Sequence, residues 1–535
     1  MTKALLLTIC ISLLGPLTGL GREEPLANEG KKGLYATSIE QVLRLSPEEV
    51  DLATAALIAS EYWSDIVQGR SYLARLDDMA LEIRAMLDAE ELEPNSEAIP
   101  VINEYLFDKE GFKSLPQVSD PNELFLHIVM DKKQGYCLSL SVLYLSLAER
   151  LGVPVYGVVV PGHFFVRYDD GEKSFNIETT SNGGIADDDH YIDKFKVPPE
   201  NADSIYMKNL NKTQTLGCFF NNLGNTYSTV GNTDSALAVL EKAVEINPSL
   251  AESRMNLGNI YLKKGRLSDA IHQYRTALEI NPDDPKGHLN LGNAYTEQGR
   301  LTQATAEYNI SLSLDPNIVD TYVNLATVYC KQNMFGSALT QIRQALTLEP
   351  KNSFLYSQLG DVYNKMGDYN KALREYKNAL EMKPDLAQAH YGIALCYNRL
   401  RLTDDAIAAY KKALAIEPDM VAAMVNLGNA YCEKENYGPA IEQYEKAIRI
   451  RPDDATIYYN LGAAYSNKGD YEKAVDAHRK AAELDPDMGD VHNGLAYSYF
   501  WLEKYDLAWK HIKIAEELGA EIDKKLLVAI KRRLR

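Results

Sequence analysis

Residues 251–284 read AESRMNLGNIYLKKGRLSDAIHQYRTALEINPDD, and the pattern of this stretch returns every 34 residues through most of the chain. Proline recurs at that interval without a slip from Pro248 to Pro486. One position is tyrosine in nine consecutive units, from Tyr227 to Tyr499, and another is alanine from Ala236 to Ala508. A third position is always glycine or alanine. A period of this length is typical of a solenoid built from stacked supersecondary units.

Each recurring residue has a physical role in a helix-turn-helix unit. The glycine or alanine lets two antiparallel helices approach closely, and the tyrosine fills the space between neighbouring helix pairs. Glycines such as Gly231 and Gly265 lie where the first helix must end, and proline follows the second helix, which it cannot extend. This pattern resembles the tetratricopeptide repeat. It predicts an α-helical solenoid of nine repeats over residues 217–522.

The last residues, 523–535, are expected to form a capping helix, because the end of a solenoid needs a polar outer face. The cations of this segment are Lys524, Lys525, Lys531, Arg532, Arg533 and Arg535. A basic tail that binds an acidic ligand is the alternative interpretation.

The resemblance implies that a peptide or partner protein binds in a concave groove lined by the first helix of each pair. In six repeats the residue before the Leu-Gly or Leu-Ala pair is asparagine: Asn222, Asn256, Asn290, Asn324, Asn426 and Asn460. An amide both donates and accepts hydrogen bonds, so such a ladder could hold an extended peptide backbone. The arrangement is similar to the asparagine ladder of the O-linked N-acetylglucosamine transferase repeats. The alternative is that these asparagines only cap or solvate their helices.

Residues 36–200 contain no repeat and predict a smaller α+β domain. Apolar spacing indicates helices over 51–63, 72–92 and 123–132, followed by an apolar helix from Cys137 to Leu151 that Gly152 ends. Two or three strands come next, and Asp170-Gly171 predicts a hairpin turn. The predicted hairpin pairs residues whose numbers add to 341. This register places His163 directly opposite Glu178, with Cβ atoms about 4.5–5.5 Å apart.

Cys137 is predicted to stand at a helix start, where unpaired N–H groups favour a thiolate. A cysteine on a helix N-terminus, followed by a strand histidine and a strand acid, resembles the transglutaminase-like superfamily, whose core is related to papain. The stretch YLARLDDMALEIRAML at 72–87 resembles the leader of a bacterial branch sometimes fused to tetratricopeptide repeats. The resemblance implies Cys137 as nucleophile, His163 as general base and Glu178 as the residue that orients it.

Two functions therefore follow as hypotheses. In the first, the domain transfers an acyl group from an amide or peptide through a thioester on Cys137, by hydrolysis or by transfer to an amine, while the repeats recruit the substrate. In the second, the protein is a non-catalytic scaffold whose transglutaminase-like fold only binds. No cofactor and no metal are expected, because the sequence lacks a glycine-rich phosphate loop, a dinucleotide fingerprint and usual zinc-ligand spacing.

Charge and the N-terminus bear on partners and location. The net charge of −19 argues against a nucleic-acid partner. Residues 1–21 contain a basic start, an apolar run and a small-residue cleavage site, which predict an export signal and a secreted or periplasmic protein, or an uncleaved membrane anchor. Residues 22–35 then form a linker. Residues 201–216 form a short connector, so we expect the first repeat to dock on the preceding domain.

Overall fold

A computed structural model describes residues 25–63, 68–116, 120–197 and 205–534 of the chain. The chain divides into two compact units, Met1–Gln298 and Gly299–Arg535. The predicted signal or anchor at 1–21 lies outside the described residues. Within the described ranges, no helix combines the length and the apolar character that crossing a membrane requires.

The first unit begins with a small α+β arrangement. Its helices are α1 Ile39–Val42, α2 Leu52–Trp63, α3 Gly69–Ala89, α4 Ala98–Asn103, α5 Leu126–Lys132, α6 Cys137–Leu151 and α7 Asp188–Phe195. Strands β1 Lys113–Ser114 and β2 Gln134–Gly135 pair in parallel. A second sheet contains β3 Val155–Val160, β4 His163–Asp169, β5 Ser174–Glu178 and β6 Gly184–Ala186, each antiparallel to the next. The predicted helix from Cys137 to Leu151 is confirmed.

The register of the β4–β5 hairpin differs from the prediction. Val166 pairs with Ile177 and Asp169 with Ser174, so paired residue numbers add to 343 rather than 341. The side chain of Asp170 closes a longer turn, because its carboxylate accepts hydrogen bonds from the N–H groups of Glu172 at 2.9 Å and Lys173 at 2.7 Å. A shift of two residues leaves every side chain on its predicted face. His163 and Glu178 are therefore diagonal neighbours on one face, and the prediction of direct opposition was wrong.

The turn before β4 fixes where His163 begins its strand. Val160 pairs with His163, and the two residues between them are Pro161 and Gly162. Proline presets the first turn position, while Gly162 takes a φ of +74°, which a residue with a Cβ rarely adopts. The tight turn places the imidazole at the end of the sheet.

Paired helices follow in sequence order, as the 34-residue period predicts. They are α8 Lys212–Thr229, α9 Thr233–Ile246, α10 Ala251–Lys263, α11 Leu267–Ile280, α12 Pro285–Glu297, α13 Leu301–Leu314, α14 Val319–Lys331, α15 Phe335–Leu348, α16 Ser353–Lys365, α17 Tyr369–Met382, α18 Ala387–Arg399, α19 Thr403–Ile416, α20 Val421–Glu433, α21 Tyr437–Ile450, α22 Ala455–Lys468, α23 Tyr471–Leu484, α24 Gly489–Trp501 and α25 Tyr505–Glu517. The chain then forms α26 Lys524–Arg533. The fold is thus a tetratricopeptide solenoid after a small α+β domain.

Small residues of the first helices accommodate rings of the second helices. The buried ring of Tyr376 lies between Gly360 of its own repeat and Gly392 of the next. A Cβ built on Gly392 would lie only 2.3 Å from the Cζ atom of Tyr376. The Tyr376 hydroxyl donates to Asp361 at 2.6 Å, so burial leaves this polar group satisfied. Close approach of the helices therefore requires residues without a side chain at Gly360 and Gly392, as the sequence predicts.

The first repeat docks directly on the α+β domain. The buried residues of α2, α5 and α6 form one hydrophobic cluster with Leu216, Phe219 and Phe220 of α8. Lys212 at the start of α8 forms an ion pair with Glu149 of α6, and its Nζ donates to the carbonyl oxygen of Val50 at 2.9 Å. The two parts of this unit consequently share a core.

Candidate functional site

The site begins at the first residue of α6. Cys137 is a free, partly exposed cysteine. Because it is the first residue of α6, its backbone N–H has no acceptor within the helix. The helix start is held in place because the Ser139 hydroxyl accepts a hydrogen bond from the N–H of Tyr136 at 2.8 Å. The N-terminal end of the helix, with its partial positive charge, is thereby presented beside the sulfur.

His163 and Glu178 meet as a hydrogen-bonded pair. The Nε2 atom of His163 lies 2.7 Å from Oε2 of Glu178, and both side chains are only 14% exposed. Cys137 lies close enough to the same imidazole to raise the pKa of His163. Because Glu178 occupies Nε2, Nδ1 is the ring nitrogen available to the sulfur. The structure thus brings together the three residues that the sequence singled out.

The carboxylate of Glu178 is anchored on both oxygens. Oε2 accepts hydrogen bonds from His163 and from the Tyr191 hydroxyl at 3.2 Å. Oε1 accepts from the N–H of Thr180 at 3.0 Å and from its hydroxyl at 2.5 Å. Burial opposes the charged form, but the hydrogen bonds from His163 and Thr180 outweigh it and lower the pKa of Glu178 to about 2. The acid is ionised at any physiological pH.

The positive charge on His163 is favoured by Cys137 and Glu178. Burial lowers the pKa of an imidazole, but hydrogen bonds to Cys137 and Glu178 overcome that effect and raise the pKa of His163 to about 9. At neutral pH the raised pKa favours the imidazolium form of the ring, beside the Glu178 carboxylate. Such a ring can stabilise a thiolate on one side and can donate its proton to a leaving group.

Aromatic rings cover the imidazole. His163 stacks on Phe195 of α7, with ring centroids 4.7 Å apart and planes 3° from parallel. Tyr191, one turn earlier on α7, stacks on Phe165 at 3.8 Å. These contacts restrict the ring to one orientation and exclude water from its face.

A further contact ties α6 to the end of β5. The hydroxyl of Thr179, the residue after Glu178, donates to the carbonyl oxygen of Cys137 at 3.4 Å and lies 3.0 Å from the Ser141 hydroxyl. The acid and the cysteine are therefore positioned against each other by a residue of the same loop.

Sequence reasoning missed Thr179, Thr180, Tyr191 and Phe195. A signal existed for Thr180, because an acid two residues before a threonine at a strand end often accepts from the following backbone N–H. No local signal connects Tyr191 and Phe195 to the site, since only the tertiary fold brings α7 over His163.

The six asparagines of the proposed ladder are all half-buried. Three of them donate to residues about one repeat earlier: Asn256 to Asn221 at 2.9 Å, Asn290 to Asn259 at 3.3 Å and Asn426 to the Tyr391 hydroxyl at 2.9 Å. These bonds link neighbouring repeats. An amide has two N–H groups and an oxygen, so one such bond leaves capacity for a ligand. Peptide binding by the asparagines remains a prediction.

Comparison with protein families agrees with this architecture. Residues 70–215 match a family described as the transglutaminase-like superfamily. Residues 224–333 and 428–469 match models described as the TPR repeat, and residues 357–423 and 455–488 match models described as the tetratricopeptide repeat. The chain therefore carries a transglutaminase-like domain followed by multiple tetratricopeptide repeats.

Several curated proteins resemble parts of the chain. A protein named UPF0162 protein from Xylella fastidiosa (strain 9a5c) is 25% identical over 209 residues, which are 38% of this chain and 73% of that protein. Its counterpart in strain Temecula1 is 33% identical over 22% of this chain and 43% of its own length. F-box only protein 21 from Mus musculus is 33% identical over 16% of this chain and 14% of its own length. The chain thus spans less than half of the last two relatives.

Solved structures resemble part of the chain. A MamA structure from Desulfovibrio magneticus RS-1 is 24% identical, covers 31% of this chain and 95% of its own, and gives a TM-score of 0.31. A tetratricopeptide repeat protein from Parabacteroides merdae is 19% identical, covers 46% of this chain and 98% of its own, and gives a TM-score of 0.37.

Proposed function

We propose that this protein is an exported scaffold whose transglutaminase-like domain carries out cysteine-dependent acyl transfer or hydrolysis on an amide or peptide. The observation that carries the proposal is the juxtaposition of Cys137, His163 and Glu178, with the imidazole and the carboxylate 2.7 Å apart. The repeats recruit the protein substrate or fix the enzyme in an assembly, since repeats of this kind generally mediate protein–protein contacts.

The chemistry follows from the charges of the site. The Cys137 thiolate attacks the carbonyl carbon of the amide, and the N–H of Cys137 at the helix start supports the oxygen that becomes negative. The leaving amine takes a proton from the imidazolium of His163, and a thioester remains. Water or a second amine then attacks the thioester and returns a proton to His163, which releases Cys137. Glu178 keeps its charge throughout and holds the ring in position.

The test is the pH dependence of Cys137 alkylation by iodoacetamide, resolved by peptide mass spectrometry. Wild-type Cys137 is expected to react quickly at about pH 6, because a thiolate–imidazolium pair supplies the reactive form, and His163→Ala abolishes this reaction. Cys432 is an internal control within the same sample. It is also partly exposed, but burial raises the pKa of its thiol, so it reacts slowly at that pH in both proteins.

Slow alkylation of Cys137 at about pH 6, unaffected by His163→Ala, would instead identify a non-catalytic scaffold. If the pair is present, two assays separate the chemical outcomes. Incorporation of a fluorescent primary amine into a glutamine-containing protein indicates transfer, whereas release of a new carboxylate without amine incorporation indicates hydrolysis. Cys137→Ala is the blank for both assays, because it removes the nucleophile and adds no bulk to the site.

Two further parts of the proposal have their own tests. Export is supported by the apolar run within residues 1–21, and the N-terminal sequence of the mature protein in the extracellular or periplasmic fraction tests it. Groove binding is supported by the half-buried asparagine amides. If these amides hold a peptide backbone, Asn222→Ala with Asn460→Ala lowers binding to every extended peptide of an array, regardless of peptide sequence. A loss confined to particular peptides contradicts the ladder.

A further inference from the structure

The terminal helix α26 has two faces with different roles. Asp523 caps its start, because the carboxylate accepts from the N–H of Lys525 at 2.8 Å. Leu526 and Ile530, one turn apart, are buried in the cluster that contains Ile512 of α25. This face packs against α25. The other side of the helix is not part of that buried face.

On that other side, α26 borders an open groove. Lys525, Val528, Ala529 and Arg532 follow the spacing i, i+3, i+4 and i+7, so they form one helical stripe. Together with Lys524, Arg533 and the half-buried Phe500 of α24, this stripe surrounds a groove of about 970 Å³. Val528 is 65% exposed at its edge. We name this feature the terminal groove.

The terminal groove combines apolar side chains with a cluster of positive charges. Among the residues that the structure describes, no carboxylate forms an ion pair with Lys524, Lys525, Arg532 or Arg533. This concentration of cations is unusual in a chain whose net charge is −19. Four cations held around Phe500 and Val528 form a local field that attracts carboxylates and an apolar surface that retains a large side chain.

We propose that the terminal groove binds an acidic segment of a partner protein, in which carboxylates flank a large apolar side chain. The apolar side chain lies against Phe500 and Val528, and the carboxylates pair with the surrounding lysines and arginines. This site is independent of the cysteine chemistry.

The structure favours this occupant over other polyanions. An amphipathic helix that inserts into a membrane exposes its apolar face, but the apolar face of α26 is already buried against α25. A nucleic acid would follow a long positive surface, and the charge of the whole chain repels it. A short acidic segment needs only the groove itself.

Fluorescence polarisation of the full-length protein tests the proposal. The probe is a short fluorescein-labelled peptide of glutamates around a central pair of phenylalanines. Two matched peptides, one with glutamine in place of glutamate and one with serine in place of phenylalanine, separate charge from apolar contact. Wild-type protein binds the first peptide most tightly, and the affinity falls as salt is added because exposed charges are screened.

Charge reversal at the groove identifies the site. Lys525→Glu with Arg532→Glu lowers affinity for the acidic peptide by about tenfold or more, because each rim charge alone contributes a few-fold and reversal adds repulsion. Lys377→Glu with Lys412→Glu changes the net charge equally at exposed helix positions outside the groove and leaves the affinity unchanged. Val528→Ser weakens binding only for the peptide that carries phenylalanine.

Three results overturn the proposal. One is equal loss of affinity in both charge-reversal variants, which indicates a non-specific charge effect. Another is no measurable binding of the acidic peptide by the wild-type protein at low salt. The third is binding to vesicles of anionic lipid that exceeds peptide binding and is lost in the groove variant, which assigns the groove to a membrane. Thermal melting of each variant checks that the packing of α26 against α25 is retained.

Discussion

Replacing Glu178 with glutamine tests how the site sets the charge of His163. The substitution keeps the shape of the side chain and removes its negative charge. In the wild type, hydrogen bonds to Cys137 and Glu178 outweigh burial and raise the pKa of His163 from 6.5 to about 9. Since one pH unit corresponds to roughly 1.4 kcal/mol, the difference amounts to about 3 kcal/mol in favour of the charged ring.

Cys137 is the larger of the two influences that raise the pKa of His163, so only part of this free energy belongs to the carboxylate. We expect Glu178→Gln to lower the pKa of His163 by about one pH unit, which is equivalent to ~1.4 kcal/mol. The ring then loses its proton closer to neutral pH. Fast alkylation of Cys137 is therefore confined to a narrower pH range in the variant.

The titration can be followed by NMR on protein labelled at the histidine Cε1 carbons. The chain contains nine histidines, and the signal absent from His163→Gln identifies the ring of interest. Glu172→Gln is the matched control, because it removes one carboxylate from an exposed turn of the same hairpin. An unchanged His163 midpoint in Glu178→Gln, or an equal fall in the Glu172→Gln control, would refute the electrostatic role assigned to Glu178.

Three further outcomes are expected. The raised pKa of His163 contributes stability below pH 6.5, and this contribution is lost as the pH rises through about 9. The lowered pKa of Glu178 contributes stability above pH 4.5, and this contribution is lost as the pH falls towards about 2. Urea unfolding should accordingly show the largest cost of replacing both residues by glutamine, about 2–3 kcal/mol, between pH 4.5 and 6.5, and equal costs at all pH values contradict this linkage. Gly392→Ala should destabilise its repeat by about 1–2 kcal/mol, because the new Cβ clashes with the ring of Tyr376. Gly336→Ala, whose new Cβ meets no atom within 4 Å, should be neutral or stabilising by up to about 1 kcal/mol. Hydrogen exchange of the two helices measures both effects, and equal effects contradict the packing described. Glu435 has a φ of +55° at a helix end where other repeats have glycine. Glu435→Gly should therefore raise the melting temperature, because relief of this backbone strain stabilises the fold by up to about 1 kcal/mol. An unchanged or lower melting temperature contradicts this prediction.

The repeat period was sufficient to predict the solenoid because each unit repeats the same local chemistry. Where Gly231 and Gly265 end their helices, the equivalent residue in other repeats is Asn333 or Arg401, and each takes the same left-handed conformation. The neighbouring helices impose that geometry even at Arg401, whose side chain gives no local preference for it. A pattern seen many times predicts structure more strongly than any single residue.

The site was predictable in its members but less so in its geometry. Cys137, His163 and Glu178 are identified by their positions on a helix start and two strands. The exact pairing was missed because the Asp170 side chain selects the longer hairpin turn, a choice that depends on side-chain hydrogen bonds rather than on turn propensity. The ring of Phe195 reaches His163 only through the tertiary path of α7, so local sequence contains no sign of it.

The core shared by the α+β domain and the first repeat limits how this architecture can be rearranged by recombination. Phe219 and Phe220 of α8 are buried in the cluster that also contains residues of α2, α5 and α6. The family match at 70–215 itself ends within α8. A gene fusion that exchanged the N-terminal segment without α8 would leave apolar side chains exposed on both products. We therefore expect the first repeat to be exchanged only together with the domain that precedes it, whereas whole repeats further along the chain can be exchanged without exposing this cluster.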